Sequence, residues 1–223
     1  MADSKAEIDI KKEIAYFMAR AYSRSLTTST GGNISRRVGD YMYITCSGKD
    51  KSSLSADDIA KVSIATGENL TKDLKLSIES DMHRFIYQKR DDVNAIVHSH
   101  PTFACLFSSS DKEIDTTLIA ESWYLLDRVS RISYARMGTK ELAIKVSDYF
   151  DCSDIDCPIG VPFKPFTALL ENHGAITLGK DLLSAFDRME CLEQAAKMSA
   201  FLPLVNGKGI SKDGLDEIAR MRG

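Results

Sequence analysis

The chain of 223 residues is 43% hydrophobic and 27% charged, with a formal net charge of −3, the balance of a globular protein long enough to bury a sizeable core. So small a charge excludes a general affinity for nucleic acid or anionic membrane surfaces, and no apolar run approaches the roughly 20 residues that span a bilayer. The five cysteines, Cys46, Cys105, Cys152, Cys157 and Cys191, are odd in number and scattered, which points to free thiols in a reducing compartment, and the N-terminal stretch lacks the apolar core of a signal peptide; a cytoplasmic location is expected.

No repeat or linker divides the chain, so residues 1–223 are expected to form one domain. Ile10, Ile14, Phe17, Met18 and Ala21 recur at helical spacing and predict an amphipathic helix from Ile8 to Ser23. A polar loop, Thr27 to Asn33, leads into strand-like segments at Ile34–Arg37 and Tyr41–Thr45, with the turn pair Gly39-Asp40 between them. A second hairpin is expected around Thr66-Gly67-Glu68-Asn69. A helix follows from Ile78 to Arg90, then a strand, Val93–Val97, that runs straight into His98-Ser99-His100-Pro101. Pro101 should end that strand and open a short helix. Further on, a helix from Gly138-Thr139 to Phe150, strands at Thr167–Leu170 and Ala175–Leu178, a long helix from Leu182 to Phe201 and a shorter one after Ser211 complete the pattern. Several strand pairs read as hairpins among interleaved helices, which favours an α/β protein with a mainly antiparallel sheet covered by helices.

The sequence holds four histidines, His83, His98, His100 and His173. His98 and His100 stand two apart at a strand end, where side chains at i and i+2 share a face, so both imidazoles can reach one ion. His173, in Asn-His-Gly after another strand, can supply a third ligand, and three ligands with an open position suit a catalytic zinc site. The same residues also fit satisfied polar groups with no metal. Glu79 begins a helix, where a carboxylate is stabilised by free N–H groups; beside a metal it is instead a candidate acid/base. His83, one turn on, reads as a packing residue or a partner of the ligands. Thr30-Gly31-Gly32-Asn33 is either a turn or an anion-binding nest, and Cys152 and Cys157 flank an acidic turn. Trp123 and Tyr124 are expected in a core or an interface, and Ala195 and Ala196 in a core.

Taken together, four segments in order resemble the class II aldolase/adducin family: Thr30–Ser35 with Ile44–Gly48, Lys75–Glu79 with His83, Ala95–Pro101, and Leu169–Gly174. Met137–Leu142 fits a fifth element, and the likeness spans about Ala15 to Ala196. That family holds sugar-phosphate aldolases, epimerases, a dehydratase and decarboxylases, along with adducin-type modules that lack catalysis. The resemblance implies a three-layer α/β/α fold, a homotetramer, and a Zn2+ or other divalent transition-metal ion bound by His98, His100 and His173. It implies Glu79 as a metal ligand and then acid/base, and substrate phosphate at Gly32, Asn33, Ser47, Gly48 and Ser77. The implied reaction is cleavage of a ketose 1-phosphate to dihydroxyacetone phosphate and an aldehyde through a metal-stabilised enediolate. The chain departs from the aldolases where Ile78 replaces a second serine, where Ile119-Ala120-Glu121 lacks a tyrosine, and in a tail, Ile218 to Gly223, that also lacks one. Glu121 is a candidate for the second acid/base.

Overall fold

Alternation along the strands sorts the apolar residues into two sets, and each set meets its own layer of helices. The computed structural model describes residues 4–151 and 164–221; Cys152, Cys157 and the residues between them lie outside the described residues. Among the described residues seven strands, β1 (Asn33–Val38), β2 (Tyr41–Thr45), β3 (Ile59–Ser63), β4 (Ala95–Ser99), β5 (Ser130–Ile132), β6 (Thr167–Leu170) and β7 (Gly174–Gly179), form one sheet in the order β3-β2-β1-β4-β7-β6-β5. Every neighbouring pair is antiparallel except β5 with β6.

On β4, Ala95 and Val97 point into one core and Ile96 into the other, as a period of two requires. The first core is closed by α1 (Lys5–Ser23), α3 (Thr102–Ser108) and α6 (Leu182–Phe201) through Phe17, Phe107, Phe186 and Leu192. The second is closed by α2 (Ser80–Lys89) and α5 (Lys140–Asp151) through Met82, Ile86, Val146 and Phe150. Helices on both faces of a mainly antiparallel sheet make the three-layer α/β/α arrangement that the resemblance implies. Among the described residues no helix is long and apolar enough to cross a membrane.

Local chemistry starts the long helices. Ser4 and Glu7 form a reciprocal capping box on α1, and Asp181 and Ser184 do so on α6, each satisfying N–H groups that a helix start leaves free. Two strands and one α-helix among the described residues were not anticipated: β3, the three-residue β5, and α4 (Ala120–Leu126). The hairpin expected at Thr66–Asn69 is reduced to a single bridge, Val62 to Asn69, with Gly67 turning the chain at φ +77°. Trp123 is buried on α4 whereas Tyr124 is largely exposed, and Ala195 and Ala196 are fully buried on α6.

Arg90, fully buried at the end of α2, clasps this face. Its Nε and one Nη reach the two Asp92 carboxylate oxygens at 2.7 Å each, and the other Nη donates to the Phe150 and Pro165 carbonyls at 2.8 and 3.0 Å. It thereby joins the ends of α2 and α5 to the lead-in of β6. Arg90→Met keeps the volume but strands those acceptors, so urea unfolding should show a loss of about 3 kcal/mol, with the histidines at the far end of α2 undisturbed.

Candidate metal centre

The antiparallel register brings three strand ends together at the middle of the sheet. Asn33, the first residue of β1, pairs with His98 near the end of β4, and Ser99 of β4 pairs with Ala175 near the start of β7. His98 therefore lies between the strand that begins with Asn33 and the strand that His173 precedes. His98 shares the sheet face of Ile96, the face covered by α2, and is wholly buried. His100 stands just beyond β4, its N–H held by the Leu26 carbonyl at 3.1 Å. The ring centroids of His98, His100 and His173 lie 4.9, 4.9 and 5.4 Å apart.

Close backbone approach makes this possible. A Cβ on Gly174 would come within 2.6 Å of both His100 Cδ2 and the Ser99 carbonyl, and one on Gly32, at φ +65°, within 2.7 Å of the His98 carbonyl. The left-handed turn that presents His173 is made by Asn172, at φ +52°, and Gly174 supplies clearance for His100.

Glu79 caps the start of α2 in position only. Its side chain makes no capping bond, and its N–H donates to Ser77 Oγ at 3.3 Å. The carboxylate turns inward, 7% exposed. Oε2 accepts from Asn33 Nδ2 at 2.9 Å and lies 3.2 Å from His98 Nε2. Oε1 approaches His173 Nε2 to 3.0 Å without hydrogen-bond geometry. Glu79 is thus no ordinary helix-start charge.

Burial acts to raise the Glu79 carboxyl pKa, but the neighbouring His98 and His173 prevail and hold it far below the carboxylate range. Burial alone lowers His98, yet Glu79 more than reverses this and raises it. His100 is pushed down to about 3, by burial and then by charge on His98 and His173. His83, fully buried, also falls to about 3, mainly through burial.

The donor set fits a divalent ion. His98 Nδ1–H donates to the Ala175 carbonyl at 3.0 Å, which leaves Nε2 of the neutral ring as a lone pair facing His100 Nε2 at 3.2 Å and a carboxylate oxygen. One proton cannot satisfy all three groups; a cation among them can. The ligand atoms of His98, His100 and His173 all lie within 4.8 Å of one another, and 3.2 Å is close to the edge of a tetrahedral zinc–imidazole shell, about 3.3 Å.

The other candidates divide. Hydrogen bonds from Lys51 N–H to the Ser29 carbonyl at 2.9 Å, and from Ser47 N–H to the Lys75 carbonyl at 3.0 Å, tie the loops carrying Gly32, Ser47-Gly48 and Ser77 to one another. Asn33 instead commits its amide to Glu79. Glu121 is exposed on α4, a helix that packs on α6 and on α7 (Lys212–Arg220). Three buried or partly buried polar side chains near these segments escaped the sequence reading. Lys51 is fully buried with Nζ on the Cys46 carbonyl at 2.9 Å. Cys105 lies with Sγ 3.9 Å from the His173 carbonyl, its thiol raised to about 11 by burial. Glu193 holds the Phe103 and Ala104 N–H groups at 3.0 and 2.8 Å at the start of α3. None carries a motif, and each is found only through the fold. A cavity of about 770 Å3 beside Trp123, Ser130 and Leu215 shares no residue with the histidine cluster.

Residues 12–200 match the family described as Class II Aldolase and Adducin N-terminal domain, and the chain belongs to it. The L-fuculose phosphate aldolase of Methanocaldococcus jannaschii is 32% identical over 195 residues, 87% of this chain and 98% of that one. The 3-oxo-tetronate 4-phosphate decarboxylase of Haemophilus influenzae is also 32% identical, over 84% and 86% of the two chains. A solved L-fuculose 1-phosphate aldolase superposes with a TM-score of 0.82 at 27% identity, covering 99% of this chain and 97% of that one. The protein is therefore an enzyme of the aldolase-superfamily type, a class that depends on metal.

Acid should destabilise the metal-free protein. The unfolded chain protonates His83 and His100 near 6.5, whereas the folded chain does so only near 3, so below pH 6.5 the unfolded state binds more protons. His98, raised on folding, adds stability that is complete below 6.5 and lost as pH rises through its folded value, so it does not oppose this slope. Each depressed histidine can contribute up to about 1.4 kcal/mol per pH unit. The urea midpoint of chelator-treated protein should fall between pH 6.5 and 5, and fall less in His83→Gln; a flat profile contradicts this electrostatic picture.

Proposed function

We propose that the chain is a metal-dependent aldolase that cleaves a ketose 1-phosphate of the fuculose-phosphate type to dihydroxyacetone phosphate and an aldehyde. The observation that carries this reading is the buried Glu79 carboxyl group set 3.0 to 3.2 Å from two of three clustered imidazoles. His98, His100 and His173 would hold the ion, zinc or another transition metal that accepts imidazole, with Glu79 as a further ligand. A divalent ion bound there supplies Lewis acidity to the carbonyl and neighbouring hydroxyl oxygens of the sugar.

In the cleavage, the C3–C4 bond breaks with its electron pair left on C3, the C4 hydroxyl gives its proton to the Glu79 carboxylate, and C4 leaves as the aldehyde. Glu79 moves the proton that C3 gains. Gly32, Ser47, Gly48 and Ser77 bind the phosphate where their loops converge, with the buried Lys51 ammonium adding positive potential behind the Cys46 carbonyl. Asn33 contributes by fixing Glu79.

The whole chain serves as one catalytic domain in the cytoplasm and assembles as a homotetramer. The exposed apolar side chains Ile78 and Met137 support assembly: Ile78 adjoins Glu79, and Gly138, next to Met137, packs against it. A second reading, decarboxylation, epimerisation or dehydration at the same metal site, is favoured by the equal identity to the Haemophilus decarboxylase and by Ile78 standing where aldolases carry a serine. A non-catalytic adducin-like role is disfavoured because all three histidines and Glu79 are in place.

The test is product analysis with zinc-loaded protein. Ketose 1-phosphates should yield dihydroxyacetone phosphate, and Glu79→Gln should lower kcat about 10²–10⁴-fold while retaining its metal. Release of carbon dioxide from an oxo-acid phosphate with no aldol cleavage would replace the first reading by the second.

A further inference from the structure

Two polar atoms beside Glu79 are buried without a hydrogen-bond partner: Asn33 Oδ1 and His83 Nε2. Each belongs to one of two rungs that join β1 to α2. One rung is Asn33 Nδ2 to Glu79 Oε2 at 2.9 Å, and the other is Ser35 Oγ to His83 Nδ1 at 2.7 Å. Asn33 and Ser35 share a strand face two residues apart, and Glu79 and His83 stand one helical turn apart. Beyond the second rung, Ser35 Oγ lies 2.9 Å from the Tyr87 hydroxyl. A carboxylate only accepts, so Asn33 must turn its NH2 toward Glu79, and its free oxygen then needs a donor. His83 Nε2, also buried without a partner, can supply one.

We infer that His83 carries its proton on Nε2 and donates it to Asn33 Oδ1 through one buried water, as the positioning residue of a polarised chain that holds Glu79. The Tyr87 hydroxyl donates to Ser35, Ser35 donates to His83 Nδ1, His83 donates to Asn33, and Asn33 donates to Glu79. The opposite polarity would set the His83 and Asn33 lone pairs against the same water. That this chain serves catalysis rests on Glu79 being the acid/base proposed above.

The test is a long-range 1H–15N correlation spectrum of the zinc-loaded protein labelled with 15N-histidine, with His83 assigned by its loss in His83→Gln. The expected pattern is a pyridine-like Nδ1 and a pyrrole-like Nε2, with the Nδ1 signal shifted in Ser35→Ala. A proton on Nδ1, or on both nitrogens, overturns the inference, even when Glu79→Gln is inactive. Conversely, a fully active Glu79→Gln removes the catalytic reading of Glu79 and leaves the tautomer assignment standing. In kinetics, His83→Phe should lower kcat about 10- to 100-fold at full metal content, with KM little changed. His83→Gln, whose amide N–H can stand near the lost Nε2–H, should restore most of the rate. Tyr87→Phe, a milder change should His83→Phe not fold, should lower kcat a few-fold. Wild-type kcat in metal-replete His83→Phe also overturns the inference.

Discussion

One buried carboxylate, held against two imidazoles under a helix start, is the constraint on which the rest of the molecule depends. Removing an ionised group from water is costly, and a site that is nearly dry must return that energy through neighbours. Glu79 has three: Asn33, His98 and His173. Their contest for protons is unresolved among the side chains alone, because His98 Nε2 faces both a carboxylate oxygen and a second imidazole nitrogen. A divalent cation resolves it, which is why the electrostatics and the proposed chemistry point the same way.

The sheet exists in this form to bring those groups together. Antiparallel pairing of β1, β4 and β7 aligns the start of two strands with the end of the third at the centre of a seven-stranded sheet. Helical layers on both faces bury that centre, and α2 enters from one side with Glu79 at its tip. The glycines at 32 and 174 matter because a single methyl group at either would meet the backbone or ring of the histidine segment. Rigid elements thus set the positions, and hydrogen bonds tie the loops at 27–32, 46–51 and 75–77 to one another.

Much of this was legible in the sequence. The strand running into His98-Ser99-His100-Pro101 announces itself by an apolar run that ends at a proline, and the long helices by their spacing. The short pieces were not legible. β5 has three residues and α4 seven, too few for either period to show. The partners of Glu79 were hidden for a different reason. Asn33 reads as part of a glycine-rich turn, and only the pairing of Asn33 with His98 reveals that its amide faces a carboxylate 46 residues away. Ser35, Tyr87 and Lys51 carry no signal of their own, since a serine in a strand or a lysine in a loop is ordinary until register and burial assign it a neighbour.

The most direct measurement is X-ray absorption spectroscopy on protein loaded with zinc and dialysed. The account predicts one zinc per chain, a first shell of nitrogen and oxygen at about 2.0–2.1 Å, and outer scattering from three imidazoles. A sulfur shell near 2.3 Å, which would put the Cys105 thiol on the metal, or a protein that retains no zinc, would contradict it.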